Sequence, residues 1–197
     1  EEYSKKANEL YKESVFVGYR FAKTAKIKTA FPFGFGLSYT DFEYKNLAVT
    51  KENGVVTATL TVRNTGNCDG AEVVQLYVKN NEDSAVFKPE CELRAFAKVY
   101  LTAGEETVVT LSFALPELAF WNVKENAWML EKGEYTVEVG ASSEDIRLTA
   151  PLTVTVGEVP ESPYDIGINE TMKGAARIGN TEFADLLGTP LPDEPPV

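Results

Sequence analysis

Adjacent carboxylates occur at Glu105-Glu106 and at Glu144-Asp145, among other places. Paired carboxylates can hold one scissile bond between a proton donor and a nucleophile, provided they face each other at roughly 5 Å. Both pairs fall in segments read as turns, and neighbours along a strand point to opposite faces. Neither pair is expected to grip a bond. Histidine is absent, which removes the imidazole of the common nucleophilic triads and the commonest zinc ligand. Cys68 and Cys91 are too few for a four-thiolate site, and their spacing leaves open whether they pair. Asp69, Glu82 and Asp83 offer oxygen ligands of the kind calcium takes, without the alternating spacing of a dedicated loop. Solvated charge is the expectation there, and no metal site is assigned.

Aromatic side chains are the other candidate chemistry. Trp121, Trp128, Tyr77 and Tyr100 could form a platform on which sugar rings stack. The plainer expectation places Trp128 in an inter-sheet core, Tyr77 half-exposed on a strand and Trp121 in a loop. Gly34 and Gly36 are the kind of glycines a phosphate cradle uses, but Leu37-Ser38-Tyr39 follows them rather than Lys and a hydroxyl residue. The lysines from Lys23 to Lys28 could meet a polyanion; in an acidic chain they are expected to be a solvated loop. Asn169-Glu170-Thr171 fits a glycosylation acceptor and is read as incidental.

These residues sit in a chain of 197 residues, enough for one ordinary domain and short for two. A hydrophobic fraction of 44% and a charged fraction of 25% suit a water-soluble globular chain. A net charge of −11 argues against nucleic acid. No apolar run nears the length that spans a bilayer, so no membrane partner is expected. The first residues lack the features of a signal peptide, which is uninformative for a fragment, as this chain is read to be. Two thiols are read as reduced, which points to a cytoplasmic rather than a secreted origin.

The elements that must position these groups follow from periodicity. Residues 1–14 look helical, with Ala7, Leu10 and Tyr11 on one face. Ser14 to Phe21 reads as extended. Phe31 to Phe42 is dense in rings and glycines and nearly uncharged, so it should be an irregular segment pinned between packed bodies. From Asp41 the period becomes two: Val56, Ala58, Leu60 and Val62 alternate with threonines, Val74, Leu76 and Val78 with Gln75, Tyr77 and Lys79. Leu93–Leu101, Val109–Phe113, Tyr135–Val139 and Ile146–Val156 continue the pattern. Pro116 ends a strand, and Leu118–Trp121 reads as a helical turn or irregular segment. About seven short strands between regular turns predict an antiparallel β-sandwich. Beyond Gly157, prolines crowd a connector with one short helix expected from Asn180 to Leu187, stopped by Gly188. The expected division is an arm at 1–40, a sandwich at 41–157 and an extension at 158–197.

Five motifs in order give this pattern a family. Phe31-Pro32-Phe33-Gly34-Phe35-Gly36-Leu37-Ser38-Tyr39-Thr40-Asp41-Phe42 resembles the signature closing the second catalytic domain of glycoside hydrolase family 3, the β-glucosidases and their relatives. Val17-Gly18-Tyr19-Arg20-Phe21 resembles the family's run ahead of it. Asn64-Thr65-Gly66 with Gly70 to Val78, then Leu93 to Val99 and Gly104-Glu105, and finally Gly133 to Ser143, resemble its fibronectin III-like domain. Phe35, Ala95 and Ala103 depart from the usual residues. The resemblance implies an all-β fibronectin III-like (immunoglobulin-like) sandwich, an N-terminal arm from an α/β domain and a C-terminal extended connector. It further implies a retaining enzyme acting on terminal β-linked glucosides, with no cofactor. In the family the nucleophile lies in the barrel domain and the acid/base in the second domain, upstream of the run that Val17 to Phe21 resembles. No position here matches either motif, so the catalytic, cofactor and metal assignments are none and substrate-binding residues are unknown. The expected partners are the remaining catalytic domains and, through them, a β-glucoside or oligosaccharide. The chain alone should then brace its enzyme without catalysing. A carbohydrate-binding module or a plain spacer module is the alternative.

Overall fold

The computed structural model describes residues 15–81, 84, 88–122, 124–157, 181, 184, 190 and 191. The helix expected before residue 15, Glu82 and Asp83, and Asn169 to Thr171 lie outside the described residues. So does most of the proposed helix at 180–187, of which Thr181 and Ala184 are described and helical.

Among the described residues, nine strands follow a short helix α1 (Tyr19–Thr24): β1 (Phe42–Glu52), β2 (Val55–Asn64), β3 (Gly70–Asn80), β4 (Glu92–Leu101), β5 (Glu106–Ala114), β6 (Phe120–Asn122), β7 (Ala127–Met129), β8 (Gly133–Gly140) and β9 (Ile146–Val154). Seven of them form two antiparallel sheets, β1-β2-β5 and β4-β3-β8-β9, and β6-β7 is a separate hairpin. The alternation read in the sequence decides which side chains meet. Val56, Ala58, Leu60 and Val62 of β2, with Val109, Leu111 and Phe113 of β5, face Val74, Leu76 and Val78 of β3 and Tyr135, Val137 and Val139 of β8. Such interdigitating inner faces make the core of a sandwich. Tyr135 also donates from its hydroxyl to the carbonyl of Glu131 at 3.0 Å, a tyrosine-corner arrangement that fixes the entry to β8. This is the all-β, fibronectin III-like sandwich expected.

Several local expectations need correction. The segment read as extended through Phe21 turns helical at Tyr19, because its side chains pack on the sandwich instead of pairing as a strand. The helical turn read at Leu118–Trp121 starts earlier: a 3₁₀ turn covers Leu115–Leu118, with Pro116 in its first turn, and Phe120–Asn122 is strand. Pro116 does end the preceding strand, which stops at Ala114. Cys68 and Cys91 are both free thiols.

Candidate functional site

β3 is buried on both faces, and that singles out one region of the surface. Its inward residues join the core. Its outward residues, Gln75 and Tyr77, are equally shielded, and Tyr77 is 0% exposed. Tyr77 was expected to be half-exposed; the cover comes from the chain's own leading arm. Tyr19 of α1 stacks on Phe33 of the arm at 4.6 Å and meets Tyr77 edge-on at 6.0 Å. The Tyr19 hydroxyl accepts from the Leu93 backbone N–H at 2.8 Å. Thr24 Oγ1 accepts the Glu90 backbone N–H at 2.8 Å. Arg20 lies 3.3 Å from Glu92. Helix and arm therefore sit on the outer face of the four-stranded sheet, and the arm, expected to be pinned between packed bodies, has this sheet as one of them.

Gln75 is the centre of this seat. Its amide nitrogen donates to Gly34 O at 3.1 Å and to Ala141 O at 2.6 Å, and its Oε1 accepts the Tyr77 hydroxyl at 2.6 Å. Burial holds the Tyr77 phenol well above its ordinary range. The Ser143 backbone N–H donates to Phe33 O at 2.9 Å, so the arm is tied to β3 and to the β8–β9 turn. Gly34 is required at this contact. Its φ is +79°, and a Cβ there would fall 1.9 Å from Gln75 Oε1. The glycine serves close packing, in agreement with rejection of the phosphate reading. At the arm's far end, Thr40 donates to Asn64 Oδ1 at 2.5 Å, while Asn64 donates to Cys68 O and Leu101 O. Asn64 is thus buried with its polar atoms matched.

Charges under the arm are also partnered. Lys23 lies 3.6 Å from a Glu138 carboxylate oxygen and donates to Ser143 O at 2.6 Å. The expected solvated lysine loop therefore begins with a half-buried ion pair. Lys23, Lys26 and Lys28 help line an open cleft of about 770 Å³ between α1 and the arm, together with Phe31, Pro32 and Glu144. Cys91 is buried beside this cluster, and burial pushes its thiol up to about 11.

The opposite side of the arm has no such partners among the described residues. Phe31 is 71% exposed, Leu37 92% and Tyr39 99%, with Phe35 near half. Phe31 and Phe35 touch at 5.3 Å. These side chains give the arm an apolar outer side above a hydrogen-bonded base.

The sequence's other candidates are dispersed. Glu105 accepts from Thr102 N and Oγ1, both at 2.8 Å, and these bonds lower its carboxyl. Glu106 is lowered by Lys45 at 2.7 Å. Asp145 pairs with Arg147 at 2.9 Å. Asp69 accepts the Ala103 N–H at 3.0 Å and so serves a turn. Among the described residues no group of three or more candidate ligand side chains is placed to hold a metal ion. Trp128, expected in the core, is instead 70% exposed and stands across the β6–β7 hairpin from Trp121. The core includes Leu115, Leu118 and Tyr135 but not Trp128. Tyr100 is exposed on β4, so the four aromatics do not form one platform. Gln75 was missed as a functional residue. The available signal was an uncharged polar residue and a tyrosine alternating on the supposedly wet face of β3.

A family profile for the fibronectin type III-like domain matches residues 72–143. Thermostable β-glucosidase B of Acetivibrio thermocellus is 43% identical over 148 residues, 73% of this chain and 20% of the relative. An exo-α-(1→6)-L-arabinopyranosidase of Bifidobacterium longum is 38% identical over 197 residues, covering 93% of this chain and 25% of the relative. Among solved structures, a family 3 β-glucosidase of Bifidobacterium adolescentis superposes with a TM-score of 0.71 at 40% identity, over 88% of this chain and 24% of that one. The chain thus spans between a fifth and a quarter of the length of these relatives. It belongs to glycoside hydrolase family 3, as the portion that carries the fibronectin type III-like domain.

Proposed function

We propose that this chain braces the catalytic domains of a β-glucosidase-like enzyme and holds no catalytic carboxylate of its own. The observation that carries the reading is the two-sided arm. One side is locked onto the sandwich through Gln75, Tyr77 and Ser143, and the other presents Phe31, Leu37 and Tyr39 to a body that would cover them. Exposed apolar strips of this kind mark contact surfaces. The arm's resemblance to the end of a catalytic domain makes that domain the partner.

The whole enzyme would release terminal β-linked glucosyl units with retention of configuration. Sugar choice would reside outside this chain, since similar portions occur in proteins named for glucosides and for arabinopyranosides. The two free thiols suit a reducing, cytoplasmic setting. An assay with a chromogenic aryl β-glucoside tests the placement of catalysis. The isolated chain should give no turnover above buffer, and appreciable turnover would overturn it.

A further inference from the structure

A second exposed aromatic site lies on the β6–β7 hairpin, and its chemistry differs from that of the arm. We propose that Trp121 and Trp128 form a stacking site for the pyranose rings of a neutral β-linked glucan. This would be a binding function independent of the bracing role.

The two indoles are directly opposite in the hairpin register, 5.6 Å apart and at 74° to each other. They form a corner that offers one ring's face beside the other's edge. The corner is held in place from beneath. Asn122 is buried, donates to Met129 Sδ at 3.0 Å and accepts the backbone N–H groups of Lys124 and Glu125. Lys88 lies over the Phe120 ring at 5.2 Å and pairs with the buried Glu131. The hairpin is therefore anchored, so its ring positions are preorganised and little freedom is lost on binding.

The identity of the ligand follows from what surrounds the rings. Around the tip, Lys124, Glu125, Asn126 and Lys132 are exposed, and the two tryptophans are the large apolar residues exposed among the described positions of this stretch. A protein interface would need a contiguous apolar core, which the arm has and the hairpin lacks. Nucleobases also stack on indoles, but single-stranded nucleic acid needs a cationic groove, and this chain carries a net charge of −11. A β-gluco-configured pyranose is neutral and carries its substituents equatorially. Its flat C–H faces can lie on an indole while its hydroxyls reach the polar rim.

The chain contains two tryptophans in all, and both are in this site, so intrinsic tryptophan emission reports on it directly. Cellohexaose titrated into the intact chain should shift that emission saturably. Soluble mixed-linkage β-glucan cast in a native gel should retard the chain. Trp128→Ala should weaken binding roughly tenfold or more, and Trp128→Phe should retain part of it. A Leu37→Ser/Tyr39→Ser variant, altered on the arm alone, should bind as the native chain does. Native emission and mobility unmoved by either glucan, or a folded Trp128→Ala chain retarded as strongly as the native one, would overturn the proposal. Neither result would bear on the bracing role, which the arm variant and the glucoside assay address.

Discussion

The arm and the β6–β7 hairpin both expose large rings, yet one is laid down by long-range contacts and the other by local ones. Phe33 and Gly34 are fixed by Gln75 and Ser143, residues about 40 and 110 positions away along the chain. Trp121 and Trp128 are fixed mainly by a hairpin that turns within its own few residues, with Lys88 over Phe120 as its longer-range hold. The arm should therefore depend on the integrity of the four-stranded sheet, whereas the hairpin's tryptophans should contribute little to it. Exposed rings on a surface can thus be the outer side of a structural joint or a ligand face standing clear of the core. The contacts beneath them distinguish the two.

The difference can be broken most forcefully at Tyr77. Tyr77→Ala empties a fully buried position between sheet and arm and removes the donor to Gln75. A loss of about 3–5 kcal/mol is expected, measured by urea denaturation, with faster proteolysis between Thr24 and Phe42. Alkaline pH should act on the same seat. The folded Cys91 thiol titrates at about 11 against 9.0 unperturbed, so its contribution is fully present below about pH 9 and is lost as pH rises through 11. Tyr44 and Tyr77 are raised by burial in the same sense. Denaturation midpoints across that window should fall by up to about 3 kcal/mol in equivalent stability for the thiol alone. Cys91→Ser should flatten the fall.

Gly34→Ala should cost about 1–3 kcal/mol. The Gln75 amide can swing from the new methyl only by giving up the half-buried Ala141 O and the fully buried Tyr77 hydroxyl. Thermal melting checks this, and an unchanged midpoint would show that the arm is not seated as described. The smallest effect is expected on the hairpin, where Trp128→Ala should move stability by less than about 0.5 kcal/mol. A drop comparable to that of Tyr77→Ala would erase the distinction between the two regions.

Much of the sandwich was legible because its signal is local. The alternation in β2, β3 and β5 gives the inner face without knowledge of the partner sheet, and Pro116 marks the end of β5. What could not be read depended on contacts far apart in sequence. Whether Tyr77 is wet or dry depends on Tyr19, and whether Lys23 is solvated depends on Glu138 and Ser143. No periodicity near either residue records those partners. Trp128 failed for a related reason. A tryptophan between strands usually belongs to a core, but here β6 and β7 pair only with each other, outside the two sheets that enclose the core. The arm's irregularity was apparent from its glycines and rings, while its seat on the chain's own sheet was not.

The arm's role as a joint is tested most directly by amide hydrogen exchange across residues 31–41, in this chain alone and in the full-length protein. The Phe35 N–H, bonded to Pro32 O within the seated part of the arm, should be protected in both, as should the Ser143 N–H that holds Phe33 O on the sandwich. The segment around Leu37 to Tyr39 should exchange freely in the isolated chain and become protected only when the rest of the protein is present. Equal exchange at Leu37 to Tyr39 in the two samples would contradict the account.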